Sequence, residues 1–436
     1  MNTYAKDLIN LMDASPVNFL AAEYVENALR EKGFKQLNAE DAWPEMQAGD
    51  QYFVCKNNTA VFAFRVGKKQ PADAGFKLIC AHSDSPGFRI KPSAEMACEG
   101  GIVKINTEVY GGPILYTWFD RPLSVAGRVV LRTDEPLRPD VRRIFVKRPL
   151  LIIPHLAIHF NRAVNEGNPL SKQKDMLPVL GIINKGLETK SLLLNVIVEE
   201  LKCKKEDILD FDLSLYDTER AKLVGLNDEF VSCGRLDDLA MVHAGLYAML
   251  NTKTTDMTQV LAVFDNEETG SGTKQGAASP VLRNILERVS SKIACSADAD
   301  KSELFSRAVE HSFMISADMA HALHPNYVDK QDPTNHPVMG GGPVIKINAA
   351  QKYVTDAESA AVFAEVCRKA KVPVQYFVNH SDIAGGSTLG NILTHQMPMR
   401  GVDMGNPMWA MHSVRETICV KDQEYVCKAF RQFFAL

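Results

Sequence analysis

The sequence predicts an α/β fold, a mixed sheet with helices on both faces, carrying an inserted strand-rich domain. Three observations lead there. Short, fully apolar runs of about five residues end in acidic or histidine side chains, as buried parallel strands do at a ligand-binding edge. Stretches with apolar residues at helical spacing alternate with those runs. Between about residues 93 and 233 the texture changes to short runs punctuated by Gly100-Gly101, Gly111-Gly112-Pro113, Gly127 and a proline-rich turn.

The elements follow in order along the chain. Ser15-Pro16 reads as an N-cap followed by a proline at the first helical position, and Phe19, Leu20, Ala22, Val25 and Leu29 recur at helical spacing up to Gly33, predicting a helix of about four turns. Apolar runs at 61–66, 77–81, 260–264 and 313–316 read as strands, the last three leading into His82, Asp265 and Asp318. Residues 237–250 and 357–370 carry the helical pattern expected between them. Within the insertion, 102–105, 124–131, 143–146, 191–201 and 210–215 read as further strands. The predicted division is a first domain of residues 1–92 and 234–436, interrupted by residues 93–233.

Composition narrows the function classes. The 436 residues are 46% hydrophobic and 23% charged, a balance able to form a sizeable core. With 49 Lys plus Arg against 53 Asp plus Glu, the net charge of -4 provides no field to gather nucleic acid or anionic lipid. The nine cysteines are an odd number without CxxC spacing, and they read as reduced core residues of a cytoplasmic protein. Residues 1–14 contain Asp7 and Asp13 and lack a signal-peptide pattern, and the most apolar stretch, 150–160, is broken by Pro154, His155 and His159, so neither secretion nor a membrane span is expected.

Five polar clusters carry the chemistry. In His82-Ser83-Asp84 the two side chains project to one side if the strand persists, so the carboxylate could hold one imidazole nitrogen and leave the other for a metal. Asp237-Asp238 opens an otherwise apolar helix. Asp265, Glu267 and Glu268 crowd after a buried run, an arrangement that repels itself unless a cation or a proton relieves it. Asp318, followed by His321 and His324, and His412, followed by Glu416, complete the set. Alone, most of these admit ordinary explanations: a strand-end histidine, a helix N-terminal charge, a packed imidazole. Together they are the imidazole and carboxylate mixture that suits zinc, with cobalt or manganese as substitutes. Two ions a few ångströms apart would need a bridging carboxylate, one histidine and one carboxylate each, and a spare acid to deprotonate water. The clusters contain those residue types.

Other signals fail. The glycines between Gly270 and Gly276 fit neither a dinucleotide nor a phosphate loop, and Ser387 lacks the GxSxG frame.

In this order, the clusters resemble the M18 family of metallo-aminopeptidases, the aspartyl aminopeptidases and the vacuolar aminopeptidase I group, over nearly the whole chain. His155 and His159 with their neighbours and Gly385-Gly386-Ser387-Thr388 add to the likeness. The resemblance implies a fold of the zinc exopeptidase type and two zinc ions per subunit. It makes His82, Asp318, Glu268 and His412 terminal ligands, Asp237 the bridging ligand, Asp84 the residue orienting His82, and Glu267 the general base. It further implies a cis peptide at Asp237-Asp238, although many relatives have Asn where this chain has Asp238. The substrates implied are peptides with an N-terminal Asp or Glu, for which Lys346 is the matching cation; an ordinary strand-edge charge is the alternative. His155 matches a histidine that reaches the centre from a neighbouring subunit, where its N–H groups could hold an oxyanion. The resemblance also implies a homo-oligomer, a dodecamer, with His321 and His324 in supporting or packing roles. A deacylase or carboxypeptidase could use the same chemistry, and a self-assembling scaffold could keep zinc for structure alone. The absence of cysteine from the set and the unemployed Glu267 favour catalysis.

Overall fold

The computed structural model describes residues 2–183, 191–293 and 300–436. Three of the apolar runs lie side by side in a nine-stranded mixed sheet. Phe76–His82 sits between Thr258–Phe264 and Phe313–Ala317, all three parallel and buried at every position. Their side chains alternate between two cores, as period-two strands covered on both faces require. Ile79, Ala81, Leu261 and Val263 face the core formed with helices Leu236–Leu250 and Val420–Ala435. Leu78, Cys80, Val260 and Phe264 face the one formed with Val281–Lys292, Lys301–Glu310 and Leu389–Thr394. Because the three strands run parallel, their carboxyl ends share one edge, and His82, Asp265 and Asp318 leave the sheet there.

Between Gly87 and Asp217 the chain builds a six-stranded antiparallel sheet: Asp140–Phe145, Leu123–Leu131, Ile208–Asp217, Gly87–Ala97, Ile102–Tyr110 and Val179–Ile182. One face packs against helix Leu192–Leu201 and the other, in part, against Val17, Phe19 and Leu20, while along Ile102–Tyr110 burial alternates, with Val103, Ile105 and Thr107 inward. Residues 222–224 pair with 230–233, which join the C-terminal strand Glu416–Cys419 and, next to it, Pro407–Trp409 in a five-stranded sheet.

Two predicted elements differ. The helix placed from Ser15-Pro16 begins later, spanning Asn18–Glu31, and Ser15 instead terminates a preceding helix, Thr3–Ala14, by donating its N–H to Met12 O (3.3 Å). Residues 191–201, read as one of the insertion's strands, form the helix Leu192–Leu201. Glu95, from the neighbouring sheet, accepts the N–H groups of Ser191 and Leu193 (both 2.8 Å) and so anchors that helix start, a tertiary contact that local propensity cannot show. Eight cysteines among the described residues are unpaired, and Cys295 lies outside them. No described helix is long and apolar enough to cross a membrane.

Candidate metal centre

The two carboxylate oxygens of Asp237 face different partners. Oδ1 lies 3.4 Å from His82 Nε2, which is 3.8 Å from Asp318 Oδ1. Oδ2 lies 3.5 Å from His412 Nε2, which is 3.3 Å from Glu268 Oε2. His82, Asp237 and Asp318, with Asp238, can direct ligand atoms to one point, and Asp237, Glu268 and His412 can direct theirs to another; Glu267 stands beside His82 and Glu268. Thus residues far apart in the chain converge because three strand ends, one helix start and the His412 loop meet at a single edge.

Supporting contacts fix each imidazole. His82 Nδ1 lies 3.1 Å from Asp84 O and 3.3 Å from Asp84 Oδ1, so Nε2 is the nitrogen directed at the cluster. His412 Nδ1 lies 3.1 Å from Gly112 O, which leaves its Nε2 in the same position. Asp84 also accepts the backbone N–H groups of Glu267 and Glu268 (both 3.1 Å) and the Tyr110 hydroxyl (2.6 Å). One buried carboxylate therefore ties the His82 strand to both glutamates. Burial, with the charges of Asp84 and Asp265, pushes the Tyr110 phenol up, so it stays a donor.

Sequence reasoning missed several of these supports. Glu416 accepts the backbone N–H of Asp237 (3.0 Å) and of His412 (2.7 Å), holding one residue of each ligand group. Gly405 is required for space: a Cβ there would overlap Asp318 O. Tyr110 ends a strand just before Gly111-Gly112, where the glycines read only as turn punctuation. Asp238 accepts the His82 N–H through Oδ2 (3.0 Å), and the peptide joining it to Asp237 is cis. Asp265 points away, accepting from Asn18 (2.9 Å).

The remaining assigned residues occupy two places. Lys346 is buried 3.4 Å from Asp318 Oδ2; its strand, Val344–Ile347, is flanked by Gln375–Val378 and Arg400–Gly405. It is therefore no strand-edge charge. Burial would lower its pKa, but the charge of Asp318 outweighs this and keeps it a cation. His155 lies outside the cluster in this chain, on an exposed loop against the Phe119 ring (4.4 Å between centroids), with its Nδ1 2.8 Å from Leu156 O.

The electrostatics test whether cations fit. Burial and neighbouring carboxylates drive Glu267 up to about 8 and Glu268 up to about 7. Burial would also raise Asp237, but the neighbouring imidazoles of His412 and His82 hold it well below the usual range. Burial works against protonating His412, yet contacts with Asp237 and Glu268 push it up to about 11. Glu267 and Glu268 thus hold protons, while Asp237 stays ionised and favours the protonated imidazole of His412. Asp237 Oδ1, Asp238 Oδ1 and Glu268 Oε1 are buried with no hydrogen-bond partner, a costly state that a divalent cation relieves. The residues fit zinc.

A cage of carboxylate and imidazole at the carboxyl edge of a helix-covered α/β sheet is the class of site used by metal-dependent hydrolases. Residues 11–434 match the family model described as aminopeptidase I zinc metalloprotease (M18). The chain is 50% identical, over 99% of its length and of the relative's, to a Clostridium acetobutylicum protein named "Probable M18 family aminopeptidase 2". It is similar in structure to a chain of the Ape4 and Nbr1 complex (TM-score 0.94, 35% identity, covering 99% of this chain and 85% of that one). It also shares the fold of a subunit in the S. cerevisiae mApe1 dodecamer (TM-score 0.85, 24% identity, covering 99% of this chain and 96% of that one). The chain belongs to the M18 family of zinc aminopeptidases, and it is a metallo-aminopeptidase.

Proposed function

We propose that this aminopeptidase uses two zinc ions and the general base Glu267 to remove single N-terminal residues, Asp or Glu, from peptides. The observation that carries the reading is Asp237, whose two oxygens face separate ligand groups while Glu267 stands beside them. His82 and Asp318 would hold one ion, Glu268 and His412 the other, and Asp237 both; cobalt or manganese would be tolerated by the same donors. When bound, the ions would polarise the scissile carbonyl and lower the pKa of the attacking water. Glu267 accepts a proton from that water as its oxygen bonds to the carbonyl carbon, and passes the proton to the leaving amine as the C–N bond breaks. Burial and neighbouring carboxylates raise the pKa of Glu267; with the ions bound, their charge would offset this and leave Glu267 ionised to act as a base.

Acidic selectivity rests on Lys346, a buried cation next to Asp318. His155 would serve a neighbouring subunit: its loop exposes Leu156, Ile158 and Phe160, an apolar surface suited to burial in a homo-oligomer, and the fold is shared with a dodecamer. We read residues 93–233 as the inserted domain that makes those contacts and residues 1–92 with 234–436 as the metallopeptidase domain. The unpaired cysteines support a cytoplasmic location.

Glu267→Gln tests the reading. Peptide cleavage should fall about a thousand-fold or more with zinc content unchanged. Loss of zinc along with activity would make Glu267 a ligand, and retained activity would remove it as the base.

A further inference from the structure

Residues 110–112, at the end of strand Ile102–Tyr110, are the point where the six-stranded sheet reaches the centre. Three consecutive residues touch supports of both ligand groups. Tyr110 donates to Asp84 Oδ2 (2.6 Å), and its oxygen accepts from Asn266 Nδ2 (2.8 Å). Gly111 leaves space for Glu268, whose Cβ would stand 3.2 Å from a side chain there. Gly112 O lies 3.1 Å from His412 Nδ1.

We infer that Tyr110 is a positioning residue for the metal centre, so that the inserted sheet organises catalysis within its own subunit. The inference rests on the dizinc reading above. Its logic is geometric. Asp84 makes four contacts at once: with His82 Nδ1, the N–H groups of Glu267 and Glu268, and Tyr110. His82 Nδ1 and the Glu267 N–H meet Oδ1, and the Glu268 N–H and the Tyr110 hydroxyl meet Oδ2. The first three partners lie on the nine-stranded sheet side; the Tyr110 contact, the shortest of the four, reaches from the inserted sheet and is braced by Asn266. It thereby secures the carboxylate that orients His82 Nε2 and the glutamate backbone. Removing the hydroxyl leaves the protein backbone and packing in place but loosens that carboxylate.

The test compares two conservative variants of the full-length enzyme. Tyr110→Phe removes only the hydroxyl. Arg143→Gln removes another contact between the inserted sheet and the rest of the chain, Arg143 to Glu26 (2.6 Å), remote from the ligands. Zinc affinity by chelator competition, kcat and KM with an N-terminal aspartyl peptide at saturating zinc, and Tm are measured for each. Tyr110→Phe should weaken zinc binding about ten-fold and lower kcat about ten-fold, with KM within about two-fold. Arg143→Gln should move Tm alone. The inference is overturned if Tyr110→Phe binds zinc and turns over like the parent, or if Arg143→Gln loses zinc affinity equally, since the contact would then be ordinary domain packing. Because zinc affinity is read apart from turnover, an active Glu267→Gln would refute the base assignment without touching this result.

Discussion

The two large sheets solve different problems with the same residue types. In the nine-stranded sheet the central strands are buried on both faces, read as unbroken apolar runs, and present ligands where they stop. In the six-stranded sheet burial alternates along the strand Ile102–Tyr110, and what reaches the centre is a hydroxyl, a carbonyl and the room left by a glycine. The nine-stranded sheet, with a helix start and the His412 loop, supplies the groups that would bind metal, and the six-stranded sheet adds groups that help orient them. The difference teaches that an inserted domain can shape a site to which it gives no ligand.

Substitutions on the two sides should separate by size of effect. Asp237→Ala on the nine-stranded side removes the carboxylate shared by both groups. It should abolish cleavage, by at least about ten-thousand-fold, and lower zinc content from two ions to one or none, measured by elemental analysis. Retention of two ions would break the contrast. His155→Ala on the inserted side should cost about a hundred-fold in kcat with zinc content unchanged. Mixing that variant with an inactive Glu267→Gln subunit should restore part of the activity if His155 acts across a subunit boundary. Glu416→Gln, which leaves the geometry but weakens two backbone contacts, should cost about ten-fold in zinc affinity. Lys346→Met should lower kcat/KM for Asp and Glu substrates more than for Ala or Leu substrates, by about ten-fold; an equal fall would assign Lys346 to holding Asp318 instead.

A smaller effect concerns stability. His243 is buried on helix Leu236–Leu250, where Gln423 Nε2 lies 2.9 Å from its Nδ1, and burial pushes its pKa down to about 4. The unfolded chain, with an ordinary histidine near about 6.5, binds more protons between those values. Stability from this group is therefore full above about pH 6.5, falls as pH drops toward 4, and changes no further below it, for about 3 kcal/mol in all. Chemical denaturation across that window should show the fall, and His243→Gln should flatten it.

Much of this was legible in the sequence, and unevenly so. The strands that end at the centre were readable because burial on both faces leaves apolar runs with abrupt polar ends, which is also why His82, Asp318 and the paired glutamates stood out. The bridging role proposed for Asp237 was accessible only through resemblance, since a helix N-terminal carboxylate has the same local appearance. The roles of Tyr110, Gly112 and Glu416 stayed hidden because they lie in tertiary contacts, with Asp84 and Asn266, with His412, and with Asp237, that sequence order does not display. The helix at Leu192–Leu201 was misread for a related reason: Glu95, on another strand, fixes its start.

The central claim is that Asp237 joins two metal positions. The direct measurement is a crystal structure of the zinc-loaded enzyme with anomalous data at the zinc edge. The account predicts two peaks per subunit, one beside His82 and Asp318 and one beside Glu268 and His412, both in contact with Asp237. A single peak, or two that do not share Asp237, would contradict it.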